Sequence, residues 1–249
     1  MGRSAATMRR ETIESVLGMT CNGSHQTVGV SHYVDLSHVI TDGLLTYPGL
    51  PEPVVFEHLT REAAEQVYGP GITFQIGMIT MCTNTGTYID MPFHRFADGH
   101  DLAGLPLERV SQVPGVCLDV RGLASIPADV LDGVEVEGRA VLFLTGHSRH
   151  FATPEYFVGH PSLSVEAAQR LVDERAAVVG IDSLNIDATE GPTGYGRPVH
   201  TTLLGAGVPI VEHLTNLEAL PRDGFVFTAV PPKIEGMGTF TVRAHAVLA

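Results

Sequence analysis

From Tyr33 onward the chain is a succession of short apolar runs broken by Gly and Pro. Runs this short, rich in Val, Ile and Phe, have the length and composition of strands rather than helices. They predict strands at Tyr33–Ile40, Val54–His58, Phe74–Cys82, Cys117–Val120, Val141–Thr145, Ala177–Ile181, Pro209–His213, Phe225–Val230 and Phe240–Val247. Helical signals are sparser. Thr60 can cap a helix over Arg61–Tyr68, and Pro106–Gln112 and Pro127–Leu131 read as short turns of helix. The clearest helix spans Ser164–Arg175. Ser164 is a good N-cap, Glu166 sits in the positively polarised first turn, and Ala168, Leu171 and Val172 form an apolar stripe. It runs straight into the Ala177–Ile181 strand, a step typical of α/β architecture.

Residues 1–32 are polar and weakly patterned, with a short helix expected around Glu11–Leu17, and read as an N-terminal arm or extension. No internal repeat and no linker divides residues 33–249, which predict one mixed α/β domain. With 249 residues, a single large domain can bury a sizeable core.

Charge narrows the partners. A net charge of −13 repels phosphate backbones and anionic lipid, so nucleic acid and membrane surfaces are not expected. Three cysteines, Cys21, Cys82 and Cys117, form no C-x-x-C and suit a reducing compartment. Glu11, Glu14 and Asn22 interrupt any secretion-signal core, and no run is long enough for a membrane helix, so a cytoplasmic protein is expected.

The segment from Thr83 to Arg95 carries the most chemistry. It follows a predicted strand, where site residues collect in α/β folds. Gly86 permits a tight turn, Pro92 stiffens the exit, and Asn84, Tyr88, Asp90 and His94 lie between and around them. Asp90 and His94 offer a hard oxygen ligand and an imidazole base. Taken alone, an Asp near a Gly turn more often caps backbone amides, and a lone His is more often packed than catalytic.

The pattern nevertheless resembles the signature His-x-Gly-Thr-His-x-Asp-x-Pro-x-His of the cyclase family that includes bacterial kynurenine formamidase and isatin hydrolase. Gly86, Thr87, Asp90, Pro92 and His94 stand at the matching places. Asn84 and Tyr88 stand where that signature has histidines. The likeness extends over most of residues 33–249: Asp35-Leu36-Ser37 and Pro48-Gly49 near the start, Gly180-Ile181-Asp182, His200 and Glu212 twelve residues apart, and Val230-Pro231-Pro232-Lys233 near the end. The resemblance implies a single domain of the swivelling β/β/α type, with a mixed sheet curled partly around a helix. It also implies a homodimer or higher homo-oligomer.

Carried over residue by residue, Asp90, His200 and Glu212 would be metal ligands, while Asn84 and Tyr88 cannot replace two imidazoles. The expectation is one divalent ion, Zn or Mn, or none. His94 is expected as general base or proton shuttle, and Tyr88 as a catalytic hydroxyl that could stabilise an oxyanion or else merely fill space. Asn84, Phe93, His147 and Asp182 are taken as pocket residues. Phe93 and Phe96 can equally pack, His147 can lie in an exposed turn, and Asp182, Asn185 and Asp187 can serve as caps. Cys82 reads as an inert thiol, and Thr189–Gly196 as a loop over the site. The function implied is a small-molecule hydrolase that opens an amide, lactam or ester bond with metal assistance. The alternatives are a metal-independent cyclase or dehydratase using His94 and Tyr88, and a non-catalytic binding protein.

Overall fold

The computed structural model describes residues 32–190 and 196–248. Except for His32, the expected arm, its Glu11–Leu17 helix and Cys21 lie outside the described residues, as does 191–195 of the loop. The strands in chain order are β1 (His32–Asp35), β2 (Val54–Leu59), β3 (Ile76–Thr80), β4 (Tyr88–Asp90), β5 (Val113–Asp119), β6 (Ser125–Ile126), β7 (Ala140–Leu144), β8 (Ser162–Leu163), β9 (Val178–Ile181), β10 (Ile210–Glu212), β11 (Phe225–Thr228), β12 (Thr239–Thr241) and β13 (His245–Leu248). The α-helices are α1 (Arg61–Tyr68), α2 (Val165–Asp173) and α3 (Pro198–Gly205).

Nine strands form one mixed sheet in the order β1-β13-β11-β5-β7-β9-β10-β4-β12. Its centre, β5-β7-β9-β10, is parallel, and its flanks are antiparallel. The predicted strand Phe240–Val247 is in fact two, β12 and β13, which lie at the far end of the sheet and at its second position. In a flat sheet they would be about 34 Å apart, seven strand spacings. The three residues between them reach only about 14 Å. The sheet must therefore curl until its edges approach. Val242, Arg243 and Ala244 cross the seam: the Val242 amide donates to Thr87 O, the Leu36 amide to Ala244 O, and the Ala244 amide to Ser37 Oγ. The same seam ends β1 at Asp35, short of the predicted Ile40, because Ser37 turns to bridge Leu214.

Two apolar clusters result. One takes a face from nearly every strand of the curled sheet, with Leu36, Ile89, Leu142, Val211, Phe227 and Ala246 among its members, and so fills the interior. The other covers the outside of the parallel strands with α2 and α3, through Phe143, Ile181, Ile210, Leu171 and Leu203. Helix α1 begins as expected, Thr60 Oγ accepting the Ala63 amide, and Ser164 Oγ caps α2 by accepting the Ala167 amide. The sequence reading missed α3. Its eight residues bury Val199, His200, Leu203 and Leu204, too short and too evenly apolar to leave a helical stripe. The two-stranded sheet β2–β3, joined through α1, presents Val54, Phe56, Ile76, Met78 and Ile79 to solvent. Among the described residues no helix is long and apolar enough to cross a membrane.

Candidate functional site

Strand register assembles the site. β4 lies between β10 and β12, both antiparallel to it. Side chains alternate faces along a strand, so Ile89 and Val211 enter the interior core while Tyr88, Asp90 and Glu212 share the outer face. Glu212 is the direct cross-strand partner of Tyr88, and Thr239 that of Asp90. Both pairs are hydrogen-bonded. The Tyr88 hydroxyl donates to Glu212 Oε2 at 2.6 Å, and the Thr239 hydroxyl donates to Asp90 Oδ1. Gly86, at φ +68°, makes the turn into β4, where an added Cβ would come within 2.9 Å of Ile40.

Helix α3 supplies His200 from above this face. Its N-cap residue, Arg197, gives no side-chain cap. Asp187, from the loop after β9, does so instead: its carboxylate accepts the backbone amides of Val199 and His200 at 2.8 and 3.0 Å. The same carboxylate accepts His200 Nδ1 at 2.7 Å. This fixes the proton on Nδ1 and aims Nε2 at the site, 3.5 Å from Asp90 Oδ2 and 3.7 Å from Glu212 Oε1.

His94 closes the group. A threonine hydroxyl has one proton, and that of Thr239 goes to Asp90. The 2.8 Å contact between Thr239 Oγ1 and His94 Nδ1 is then donated by the imidazole, leaving the lone pair of neutral His94 on Nε2. Asp90, His94 and His200 present ligand atoms within 4.8 Å of one another.

Charge follows from burial. Asp90, Asp187 and Glu212 are all buried around one imidazole. Burial works against a charged His200, but its bond to Asp187 and the neighbouring Asp90 and Glu212 raise its pKa to about 10. Burial lifts Glu212 to about 7 despite the opposing charge of His200. Burial would also raise Asp90, yet the two imidazoles and Thr239 hold it below the usual range. Burial, then the charges of Glu212 and Asp90, lift the Tyr88 phenol well above its ordinary value, so it stays neutral.

A cavity of about 260 Å³ opens onto these groups, lined also by Tyr47, Leu50, Asn84, Arg95, Asn185 and Arg197. The structure thus brings together Asn84, Tyr88, Asp90, His94, His200 and Glu212 around this cavity. Four expectations are corrected. Tyr88 has one proton and gives it to Glu212, so it buttresses the carboxylate rather than offering a free oxyanion donor. Phe93 is not in the cavity lining; it sits in the turn after β4, its amide bonded to His100 O. His147 lines a different, larger cavity of about 770 Å³ beside Arg121 and Arg149, its Nε2 against Tyr156 O. Asp182 is sealed beneath the end of β7, accepting from Thr145 and Gly146, because a buried carboxylate needs those donors more than a ligand.

Arg197, Tyr47 and Thr239 were missed as site residues. Arg197 left a trace in the sequence, as a cation three residues before His200 in a chain with just 15 Lys and Arg, and so did Tyr47, directly before Pro48-Gly49.

A family model described as putative cyclase matches residues 34–188. Kynurenine formamidase of Bacillus cereus is 26% identical over 217 residues, 86% of this chain and 96% of that protein. Its counterpart from Bacillus cytotoxicus is 27% identical over the same shares. A solved structure described as a potential metal-dependent hydrolase with cyclase activity superposes with a TM-score of 0.71 at 27% identity, covering 88% of this chain and 98% of that one. Isatin hydrolase A from Ralstonia solanacearum shares the fold, with a TM-score of 0.75 at 22% identity over 100% and 99% of the two chains.

Proposed function

The chain belongs to the putative cyclase family, and from that premise we propose that it hydrolyses an amide C–N bond of a small molecule, in an open-chain amide or a lactam. The observation that carries this reading is the convergence of Asp90, His94, His200 and Glu212 on one cavity, with Asp90 Oδ2 buried and lacking a hydrogen-bond partner among the described residues.

That orphaned oxygen also tests the fit of a metal. Three buried carboxylates surround His200, with the more exposed His94 beside Asp90 alone, an arrangement that favours a further cation. Asp90, His200 and Glu212 would hold one divalent ion. The bonds that Glu212 accepts from Tyr88 and from the Ile186 amide orient it and leave each oxygen a second lone pair. A bound ion supplies Lewis-acid polarisation and a water of lowered pKa. The chain's own residues do the rest. His94 Nε2 takes a proton from the attacking water and returns it to the departing nitrogen as the C–N bond breaks, so that amide and water become a carboxylic acid and an amine. Thr239 and Asp90 hold the His94 ring for that transfer. Asn84, whose oxygen is occupied by Thr83, offers its amide N–H groups to the substrate carbonyl.

A second reading draws on His200 alone. With its pKa raised to about 10 it can keep a proton on Nε2 between Asp90 and Glu212, where an ion would otherwise sit. The enzyme would then be metal-independent. We also read residues 33–249 as one domain, acting in the cytoplasm as a homo-oligomer. The exposed apolar face of β2–β3 supports the last point.

The test is turnover of aryl formamides and aryl lactams by the purified protein, with and without chelator and added Zn²⁺ or Mn²⁺. Turnover should vanish with chelator, return with the ion, and fall about 10²–10⁴-fold in His94→Ala. Turnover indifferent to chelator selects the second reading. Turnover indifferent to His94→Ala sinks both.

A further inference from the structure

Arg197 stands in the cavity wall without a direct ion pair among the described residues, the Glu212 and Asp187 carboxylates acting on it only from a distance. Arg121, Arg139, Arg170, Arg175 and Arg243 each pair with an acidic side chain, while Arg95, in the same wall, is exposed and bonds Thr201. The partly buried Arg197 bonds only neutral groups among the described residues: Nη1 donates to Asn185 Oδ1 at 2.9 Å and Nη2 to the Tyr47 hydroxyl at 3.0 Å. Two of the five N–H donors of a guanidinium are thereby used, and three remain. A guanidinium in a concave, partly desolvated site, with donors to spare and no carboxylate bonded to it among the described residues, is arranged to receive an anion.

The placement is enforced. The Arg197 backbone is left-handed, at φ 46° and ψ 51°, a conformation unfavourable for a residue with a Cβ. Asn185 Oδ1, which accepts from Arg197, also accepts the Asp187 amide at 3.0 Å, and Asp187 in turn holds His200. One loop after β9 therefore sets both the imidazole of the reacting centre and the guanidinium. The spacing between them is fixed, so any anion bound at Arg197 is fixed relative to the bond to be broken. Tyr47 and Leu50 add flat and aliphatic wall, and the cavity, at about 260 Å³, admits a small ligand.

We propose that Arg197 is a specificity-determining residue that receives a carboxylate of the substrate, so that the pocket takes small amides carrying a carboxylate a short distance from the scissile bond. The amide part rests on the hydrolase reading above; the carboxylate site does not.

The experiment is equilibrium binding of benzoate and its neutral isostere benzamide to the whole chain, with and without chelator, for wild type, Arg197→Gln, Arg197→Lys and Tyr47→Phe. Wild type should bind benzoate about tenfold or more tightly than benzamide, the scale of a charge-assisted pair. Arg197→Gln should erase the preference. Arg197→Lys keeps the charge but loses the fork, and Tyr47→Phe loosens the guanidinium; each should weaken benzoate about threefold while leaving benzamide unchanged. Circular dichroism checks folding, and if Arg197→Gln does not fold, the two milder variants decide. Benzoate binding that is absent, that only equals benzamide, or that survives unchanged in the folded Arg197 variants overturns the proposal. Survival confined to chelator-free protein would assign the carboxylate to a metal instead. A retained preference with no turnover of any carboxylated amide would leave this site standing and sink the hydrolase reading alone.

Discussion

Tyr88 and Glu212 face each other directly across neighbouring antiparallel strands, and the phenol donates a 2.6 Å hydrogen bond to the carboxylate. The pair sits on the buried outer face of the sheet, where Tyr88 is only 2% exposed. A neutral phenol here steadies a carboxylate that burial would otherwise neutralise.

Tyr88→Phe leaves Glu212 Oε2 short of a donor. Stability should fall by about 1–3 kcal/mol, the cost of an unsatisfied buried acceptor. The bond lowers the Glu212 pKa, so its loss should move that pKa above about 7 and shift the acid limb of the pH–rate profile upward. Activity at pH 8 should stay within about tenfold of wild type. A drop of about 10²–10³ would instead restore Tyr88 as an oxyanion donor.

Asp187→Asn removes the charge that both orients His200 and caps α3. Activity or metal affinity should fall about 10–100-fold, with about 1 kcal/mol lost from the helix terminus. Thermal unfolding and metal titration check the two effects separately. Wild-type metal affinity in the variant would mean that His200 is held by packing alone.

Metal binding should release protons in a pH-dependent number. Below pH 10 the His200 Nε2 position is protonated and must yield one. Glu212, with a pKa of about 7, is mostly ionised at pH 8 but mostly protonated at pH 6. Zinc titration by calorimetry in buffers of different ionisation enthalpy should count about one proton at pH 8 and nearly two at pH 6. An equal count at both pH values would remove Glu212 from the ligand set.

His213 contributes to the acid limit of stability, alongside His38, whose pKa burial lowers to about 4. His213 is fully buried, both ring nitrogens lack hydrogen-bond partners among the described residues, and burial depresses its pKa to about 3. The unfolded chain takes up a proton at about pH 6.5 that the folded chain refuses, so stability is full above that pH and declines as pH falls towards 3. By pH 5 the loss is about 2 kcal/mol. His213→Asn, which tolerates the residue's φ of 56°, should flatten this slope between pH 6.5 and 4 in denaturant titrations. An unchanged slope would assign acid lability elsewhere.

Gly238 lets β12 press against the turn that carries His94. A Cβ there would collide with the backbone amide nitrogen of His94, and the Gly238 carbonyl accepts the Met91 amide at 2.7 Å. Gly238→Ala must push His94 away from Thr239. Its kcat should fall at least about tenfold while α2 and α3 stay folded by circular dichroism. Unimpaired kcat would show that His94 tolerates displacement.

Much of the architecture was written locally. Apolar runs located the strands of the parallel centre because such strands are buried on both faces. Thr60 and Ser164 marked two helix starts because a capping hydroxyl acts within three residues. The signature segment named Asp90 and His94, and the downstream interval named His200 and Glu212. What the sequence could not show was anything set by pairing between distant segments. Residues 240–247 read as one strand because alternation continues through them, yet the curl of the sheet sends β12 and β13 to different neighbours. Thr239 meets Asp90, and Tyr88 meets Glu212, only through register. Asp187 takes His200 because α3 has no cap of its own. Arg197 faces the cavity because Asn185 and Tyr47, 12 and 150 residues away in the chain, hold it there. Spacing along a chain carries the chemistry of each residue, but which group satisfies a buried charge is decided by three-dimensional proximity, and that exists only once the sheet has closed.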